Sequence, residues 1–212
     1  MPNKQGFAST SGNQKIFRRA RPDDVVIVSD LMIASAPDLN PAIFHSYLKP
    51  LVSEGFRQNR GIWAAKRAYV VEVDQRVVAV ITAYAVRHAP RIFLESLLVI
   101  FRQTPFPKAL GILWRSLKFG RLYRPLRSKY CYVANLATDA DFRGQGVASH
   151  LFQEMMKAET TDDIQGFLLD VATENLGAKR VYERLGFVPT SQTKPIDSIS
   201  GLIRMEKKIE SR

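Results

Sequence analysis

A glycine-rich turn between an apolar segment and a helical pattern constrains this chain more than any other feature. Residues 132–137 form a short apolar run typical of a buried strand, and Arg143, Gly144, Gln145 and Gly146 follow after a polar turn. A helical pattern then continues to Glu159. Because glycine lets the backbone approach a ligand, and a helix N-terminus carries partial positive charge, this order predicts an anion site suited to a pyrophosphate.

Two common phosphate-binding motifs do not fit this turn. The P-loop requires Lys and then Ser or Thr after its second glycine, whereas Val147 and Ala148 follow Gly146. The dinucleotide fingerprint requires three glycines, and the turn has two. The turn must therefore be compared with other families that bind phosphorylated ligands.

From Arg143 to Ala148 the turn matches the pattern R-x-x-G-x-A, which resembles the central motif Q/R-x-x-G-x-G/A of the GCN5-related N-acetyltransferases (GNAT). A second segment strengthens the resemblance. Asn175, Ala178, Tyr182 and the pair at 186–187 match that family's N-x-x-A-x-x-x-Y-x-x-x-G-F at its own spacing. The close resemblance covers residues 133–188, and a weaker one covers 16–86 and the last strand.

The resemblance implies an α/β fold with a mixed, mostly antiparallel central sheet and flanking helices. The patterns agree, since they predict a helix with a buried stripe at 25–32, a helical region at 41–54 and a hairpin at 68–86. A strand at 201–208 is expected to close the sheet. We expect a flexible polar tail at 1–15 and a single domain at 16–212 with an insertion at 87–129 between the third and fourth strands.

The insertion at 87–129 carries ten basic residues against Glu95 alone, which gives a net charge of +9 in a chain of net charge +11. It contains a basic amphipathic helix whose apolar face, formed by Leu110, Leu113, Trp114 and Leu117, is expected to pack on the sheet. Contact with a membrane surface, a nucleic acid or an acidic protein stays open. Residues 92–101 are typical of a buried helix, a lid over the acceptor or a homodimer face. We expect the insertion to shape acceptor access and its charge to favour an anionic acceptor.

By resemblance, main-chain groups hold acetyl-CoA: the end of the fourth strand bonds the pantetheine arm, and the glycine turn bonds the pyrophosphate. Asn175 is a predicted helix N-cap, and the matching family residue also contacts the coenzyme. The family often has Pro where this chain has Ala140, which removes no N–H donor. The implied coenzyme-binding residues are Leu136, Ala137, Thr138, Arg143, Gly144, Gln145, Gly146, Val147, Ala148 and Asn175.

Tyr182 falls at the Tyr of the family's motif, so the resemblance implies that it is the catalytic residue. A phenol with a pKa near 10 suits this role, because it stays protonated at neutral pH and can donate to a departing thiolate. No general base is assigned, since Glu72 and Glu95 are interpreted as structural. The three histidines lack metal-ligand spacing, so no metal is expected. The single cysteine, Cys131, is interpreted as a small buried hydrophobe.

The resulting hypothesis is an N-acetyltransferase that moves an acetyl group from acetyl-CoA to a primary amine by direct transfer in a ternary complex. The acceptor, a small molecule or a peptide, is not specified by the sequence. The alternative is a CoA-binding regulatory module whose basic surface binds a partner. Because no apolar run resembles a signal sequence or a membrane span, we expect a cytoplasmic protein.

Overall fold

A seven-stranded sheet organises the computed structural model, which describes residues 15–123 and 126–209. The predicted tail at 1–15 lies outside these residues except for Lys15, which begins the first strand. The strands are β1 (Lys15–Arg19), β2 (Ala68–Val73), β3 (Arg76–Ala85), β4 (Tyr130–Thr138), β5 (Gly166–Ala172), β6 (Val188–Gln192) and β7 (Leu202–Lys208). Their order is β1-β2-β3-β4-β5-β7-β6, and only β4 and β5 pair in parallel. The predicted mixed, mostly antiparallel α/β sheet is thus confirmed.

Seven helices in the described residues cover both faces of the sheet. They are α1 (Val25–Ala34), α2 (Leu39–Phe44), α3 (Leu48–Arg57), α4 (Ala89–Gln103), α5 (Phe106–Gly120), α6 (Val147–Glu159) and α7 (Leu176–Arg184). Because side chains alternate along a strand, Val70 packs with α1 to α5 on one face, whereas Val71 packs with α6 and α7 on the other. Within the described part of the chain, no helix has the length and apolar character to cross a bilayer.

The hairpin between β2 and β3 forms where the sequence predicted it. Asp74 and Gln75 connect the strands with φ values of 48° and 64°, the left-handed pair that a two-residue turn requires between twisted strands. Asp suits such a position, because its short polar side chain tolerates a positive φ. The hairpin fixes the register of β3, on which β4 is built.

Strand β4 leaves β5 halfway along its length, and this divergence positions the site. The two strands pair from Tyr130↔Gly166 only as far as Val133↔Leu169. Beyond Val133, β4 continues to Thr138 and pairs with β3 alone. Among the described residues, no strand pairs with the other edge of this second half, and the space beside that edge opens as a cleft.

The insertion between β3 and β4 is confirmed in position and consists mainly of α4 and α5. The prediction of how α5 packs was wrong. Its buried residues are Ala109, Ile112 and Phe119, whereas Trp114 and Leu117 are 64% and 65% exposed. The side of the helix that carries Trp114 and Leu117 therefore faces outward.

Strand β6 was missed by the sequence patterns. Its residues, Val188–Gln192, are mostly exposed and include Pro189, so the segment lacks apolar alternation. It lies at the edge of the sheet and pairs only with β7. Proline is tolerated there because an edge strand has one side on which no N–H is needed.

Candidate active site

Two adjoining cavities occupy the cleft beside the second half of β4. The turn cavity, of about 390 Å³, is lined by Ala137, Thr138, Arg143 and Ala148 and lies against the glycine turn. The loop cavity, of about 430 Å³, lies between residues 35–39, the strands β4 and β5, and residues 199–202. The residues that line both cavities are Ser35, Pro37, Leu136, Asn175, Ala178 and Tyr182. Two ligands, one in each cavity, would therefore meet at this shared wall.

The glycine turn has the backbone geometry of an anion site. Gly144 and Gly146 have φ values of +74° and +75°, and Gly146 is the N-cap of α6. Within the described part of the chain, the amides of Gly144, Gln145 and Gly146 make no hydrogen bond of normal geometry. Apart from each glycine and its two chain neighbours, no atom of the described residues lies within 4 Å of the positions where Cβ atoms would stand on the two glycines. These amides are free to donate to a ligand phosphate.

Thr138 supplies a second unpartnered polar group. Its Oγ1 is the one buried side-chain nitrogen or oxygen among the described residues that lacks a hydrogen-bond partner. Thr138 ends β4 and lines the turn cavity, and its carbonyl accepts from Arg143 Nε at 3.2 Å. A buried hydroxyl without a partner is costly, which makes this atom a candidate for a contact with a polar ligand.

Tyr182 lies at the shared wall and is 9% exposed. Its ring packs against Phe152 and Phe187, with centroid distances of 5.8 and 6.3 Å. Burial raises the pKa of its hydroxyl to about 12. Among the described residues, none hydrogen-bonds this hydroxyl. The residue thus packs its ring in the core and also lines both cavities.

Asn175 is the N-cap of α7, as the sequence predicted. Its Oδ1 accepts from the Ala178 amide at 3.0 Å. Because this bond uses the carbonyl oxygen, the side-chain NH₂ stays available at the wall that the two cavities share.

The loop cavity is lined by three carboxylates that sequence reasoning did not single out: Asp38, Asp170 and Glu174. Asp170 is 3% exposed and is paired with Arg204, and it also accepts from the Tyr132 hydroxyl at 2.9 Å. Asp38 lies in the loop after α1 and Glu174 lies before α7. No periodicity or motif connects residues this far apart in the sequence, so only the fold could reveal their convergence.

A hydrogen-bond chain also fixes the shared wall. Ser35 Oγ donates to Asn135 Oδ1 at 2.8 Å, and Asn135 Nδ2 donates to Thr82 Oγ1 at 2.8 Å. The chain ties the loop after α1 to β4 and β3. No sequence motif indicated this connection.

The insertion contributes little to this cleft. Among the described residues of 87–129, only Tyr123 lines the loop cavity. The basic side chains of 87–129 that the structure describes, which were expected to favour an anionic acceptor, line neither the loop cavity nor the turn cavity. Glu72 is paired with Arg18 and Glu95 with Arg67 and Arg91, in agreement with their structural interpretation. In residues 15–123 and 126–209, no three His, Cys, Asp or Glu side chains group as metal ligands would.

Comparisons by sequence and by fold both find acetyltransferases. Residues 111–187 match the Acetyltransferase (GNAT) family. N-alpha-acetyltransferase 30 of Xenopus laevis is 35% identical over 57 residues, which are 27% of this chain and 21% of that protein. The chain thus aligns with about a fifth of that relative's length.

Solved structures share the fold across almost the whole chain. An N-acetyltransferase from Staphylococcus aureus Mu50 has a TM-score of 0.70 at 17% identity, covering 91% of this chain and 100% of the other. An acetyltransferase from Salmonella typhimurium, solved with its cofactor acetyl-CoA, has a TM-score of 0.60 at 12% identity, covering 94% and 96%. The sequence match covers the glycine turn, the divergent part of β4 and α7, and the solved structures share the fold that positions them, so the chain is similar to the Acetyltransferase (GNAT) family in that region and to acetyltransferase structures in its fold.

Proposed function

We propose that this protein is an acetyl-CoA-dependent N-acetyltransferase that acetylates a primary amine by direct transfer in a ternary complex. The observation that carries the proposal is the meeting of the turn cavity and the loop cavity at Tyr182 and Leu136. The turn cavity is lined by Arg143 and Ala148, which flank the amides suited to a diphosphate, and the loop cavity is lined by carboxylates suited to an amine. Both substrates can then occupy the protein together.

Acetyl-CoA supplies the acyl thioester in this proposal. The amides of Gly144 to Ala148 bind its diphosphate at the N-terminus of α6, where the helix adds partial positive charge. Leu136, Ala137 and Thr138 offer main-chain groups along the β4 edge that has no strand partner. Thr138 Oγ1 and the Asn175 side-chain NH₂ add two polar contacts. Arg143, Gln145 and Val147 contribute through their backbone.

Tyr182 is proposed as the general acid. Burial raises the pKa of its hydroxyl to about 12, so the phenol remains protonated over the whole physiological range. A hydroxyl without a protein partner can donate to sulfur as negative charge develops there. This role uses the position of Tyr182 in the shared wall, where the two substrates would meet.

The cysteine supports direct transfer, because a covalent route would need a reactive thiolate. Cys131 is 0% exposed, and burial raises the pKa of its thiol to about 12. It is the only cysteine of the chain. A buried neutral thiol is a poor nucleophile, so an acyl-cysteine intermediate is not proposed.

The loop cavity favours a cationic amine as acceptor. Asp38, Asp170 and Glu174 line it, and Asp170 already has Arg204 as a partner, so Asp38 and Glu174 are the carboxylates proposed to attract an ammonium group. The similar Xenopus protein is named as an N-alpha-acetyltransferase, which puts peptide N-termini on the list of amines to test.

The test measures CoA release from acetyl-CoA with peptide N-termini, small amines and lysine peptides, and calorimetry measures CoA affinity in parallel. We expect CoA binding together with amine-dependent thiol release. Affinity without turnover for any amine would instead support the CoA-binding module. Absence of CoA affinity in well-folded protein would remove the proposal.

A further inference from the structure

Helices α4 and α5 carry an unusual concentration of exposed apolar side chains. Among the described residues, thirteen large hydrophobic side chains are exposed, and eight of them lie on these two helices. Scattered single apolar residues are normal on a protein surface, but a cluster of this kind marks an interaction site. We call this cluster the insertion face, formed by Phe93, Leu94, Leu98, Phe101, Phe106, Leu110, Trp114 and Leu117.

On each helix the exposed apolar residues recur at helical spacing. In α5, Phe106, Leu110, Trp114 and Leu117 follow one another at intervals of four, four and three residues, and they are 45–65% exposed. Since residues three and four apart lie on one side of a helix, they form a single stripe. The opposite side, with Ile112, packs into the core. The stripe is therefore the side of α5 that does not pack against the core.

The stripes of the two helices adjoin. The rings of Phe101 and Phe106 lie 5.9 Å apart at the turn between the helices. Phe93 and Leu113 line a cavity of about 310 Å³ between α4 and α5, with Trp63 also in its wall. The insertion face is therefore continuous across both helices and includes an apolar slot.

Basic side chains border this apolar surface. The segment 87–129 has a net charge of +9. In the described part of the chain, Arg102, Lys108 and Arg121 are exposed and have no salt-bridge partner. Lys118 Nζ lies 5.6 Å from the ring centroid of Trp114. Apolar and aromatic side chains with flanking Lys and Arg are the composition of helices that lie in a lipid interface.

We propose that the insertion face docks this protein on the surface of an anionic lipid bilayer, with α4 and α5 lying in the plane of the interface. The apolar stripes enter the boundary between headgroups and acyl chains, and the basic side chains contact anionic headgroups. The slot between the helices can take part of an acyl chain. Docking leaves the sheet and the cleft outside the bilayer, so the proposal does not depend on the acetyltransferase activity.

Charge argues against the other occupants. A second copy would bring two segments of +9 together, and like charges in an interface oppose association. A nucleic acid would complement the basic side chains, but phosphates and sugars would leave Leu110 and Leu117 without apolar contact. An anionic bilayer complements both features at once.

Vesicle binding of the full chain provides the test, with phosphatidylcholine vesicles compared with vesicles that also contain phosphatidylglycerol. One variant combines Leu110→Ser, Trp114→Ser and Leu117→Ser, and its control combines Val26→Ser and Val188→Ser, which are 65% and 59% exposed elsewhere. A second variant combines Arg102→Gln, Lys108→Gln and Arg121→Gln. Its control removes three exposed charges elsewhere through Arg184→Gln, Lys194→Gln and Lys208→Gln.

We expect binding to anionic vesicles only, and a blue shift of Trp114 fluorescence when they are added. Each basic residue near an anionic surface contributes about fivefold to the partition coefficient, so the charge variant should bind roughly a hundredfold more weakly. The apolar variant should also lose binding, and both controls should retain it. Absence of vesicle binding, or equal binding by all variants, would overturn the proposal. Self-association or nucleic-acid binding that the apolar variant abolishes, in place of vesicle binding, would assign the face to that partner.

Discussion

Asp170 and Arg204 form a buried bidentate ion pair between β5 and β7, and Asp170 lines the loop cavity. Arg204 Nε lies 2.7 Å from Asp170 Oδ1, and Nη2 lies 2.8 Å from Oδ2. The two side chains are 3% and 5% exposed. The residues are also direct register partners in the sheet. The pair therefore joins the two strands, and the Arg204 guanidinium balances the charge of Asp170 in the wall of the loop cavity.

Removal of one partner of this pair should be costly. Asp170→Ala leaves the buried guanidinium of Arg204 without its carboxylate, and we expect the free energy of unfolding to fall by about 3–5 kcal/mol. Urea denaturation measures the change. The double variant Asp170→Ala/Arg204→Met should recover much of the loss, because it leaves no uncompensated charge. A loss below about 1 kcal/mol for the single variant would show that solvent compensates the pair.

Thr138→Val should lower the affinity for the coenzyme without lowering the stability of the protein. The substitution keeps the branched shape and removes Oγ1, the buried atom without a hydrogen-bond partner among the described residues. We expect unfolding free energy to be unchanged or higher, because an unsatisfied buried hydroxyl costs about 1–3 kcal/mol. CoA affinity, measured by calorimetry, should fall about fivefold to tenfold if the hydroxyl bonds the coenzyme. Equal CoA affinity would remove Thr138 Oγ1 from the site.

Gly146→Ala should weaken CoA binding through the backbone. A Cβ at this position meets no atom within 4 Å, but φ is +75°, which costs an L-residue roughly 1–2 kcal/mol. We expect the turn to relax and its amides to turn away from the phosphate, with a loss of about tenfold in affinity.

Gly120→Ala is the matched control for this variant. Gly120 also has open space around its Cβ position but lies in α5 without a positive φ, so the control should leave CoA affinity unchanged. If both alanine variants bound CoA like the unsubstituted protein, the turn would have no part in coenzyme binding.

The pKa of Tyr182 predicts a pH profile. Burial raises it to about 12, so the phenol donates its proton over a wider alkaline range than a free tyrosine. Loss of the proton removes the acid, and we expect this loss only as the pH approaches that value. The kcat measured at saturating substrates should therefore not fall between about pH 8 and 10. An alkaline fall near pH 10 that Tyr182→Phe abolishes would show that the phenol titrates at its ordinary value.

The sequence motifs predicted the coenzyme side of the cleft because local backbone geometry encodes it. A turn with Gly144 and Gly146 before a helix depends on residues that are close in the chain, and the strand before it is a short apolar run. The same holds for Asn175, whose capping bond reaches only to Ala178. A sequence pattern can predict such turns and caps because the residues that form them lie within a few positions of one another.

The acceptor side could not be predicted in this way. Asp38, Asp170 and Glu174 come together only when the loop after α1, β5 and the start of α7 meet across the divergent strands. The orientation of α5 was also beyond a pattern. Its apolar residues cover more than one side of the helix, and the structure buries the side that carries Ala109, Ile112 and Phe119. Tertiary packing overrode the apolar pattern in that helix.

Tyr182→Phe tests the catalytic assignment with the smallest change in shape. The ring contacts with Phe152 and Phe187 should persist, so the fold and CoA affinity should be preserved. Tyr47→Phe serves as a control, because Tyr47 is partly buried and lines neither cavity. Its turnover should equal that of the unsubstituted protein.

The central claim is that the amides after Thr138 bind the diphosphate of acetyl-CoA and Tyr182 protonates its departing thiolate. Thiol release at saturating acetyl-CoA and amine, compared between the unsubstituted protein and Tyr182→Phe, is the most direct measurement. We predict a kcat lower by a factor of roughly 10² to 10⁴ with CoA affinity nearly unchanged. An undiminished kcat in Tyr182→Phe would contradict the account.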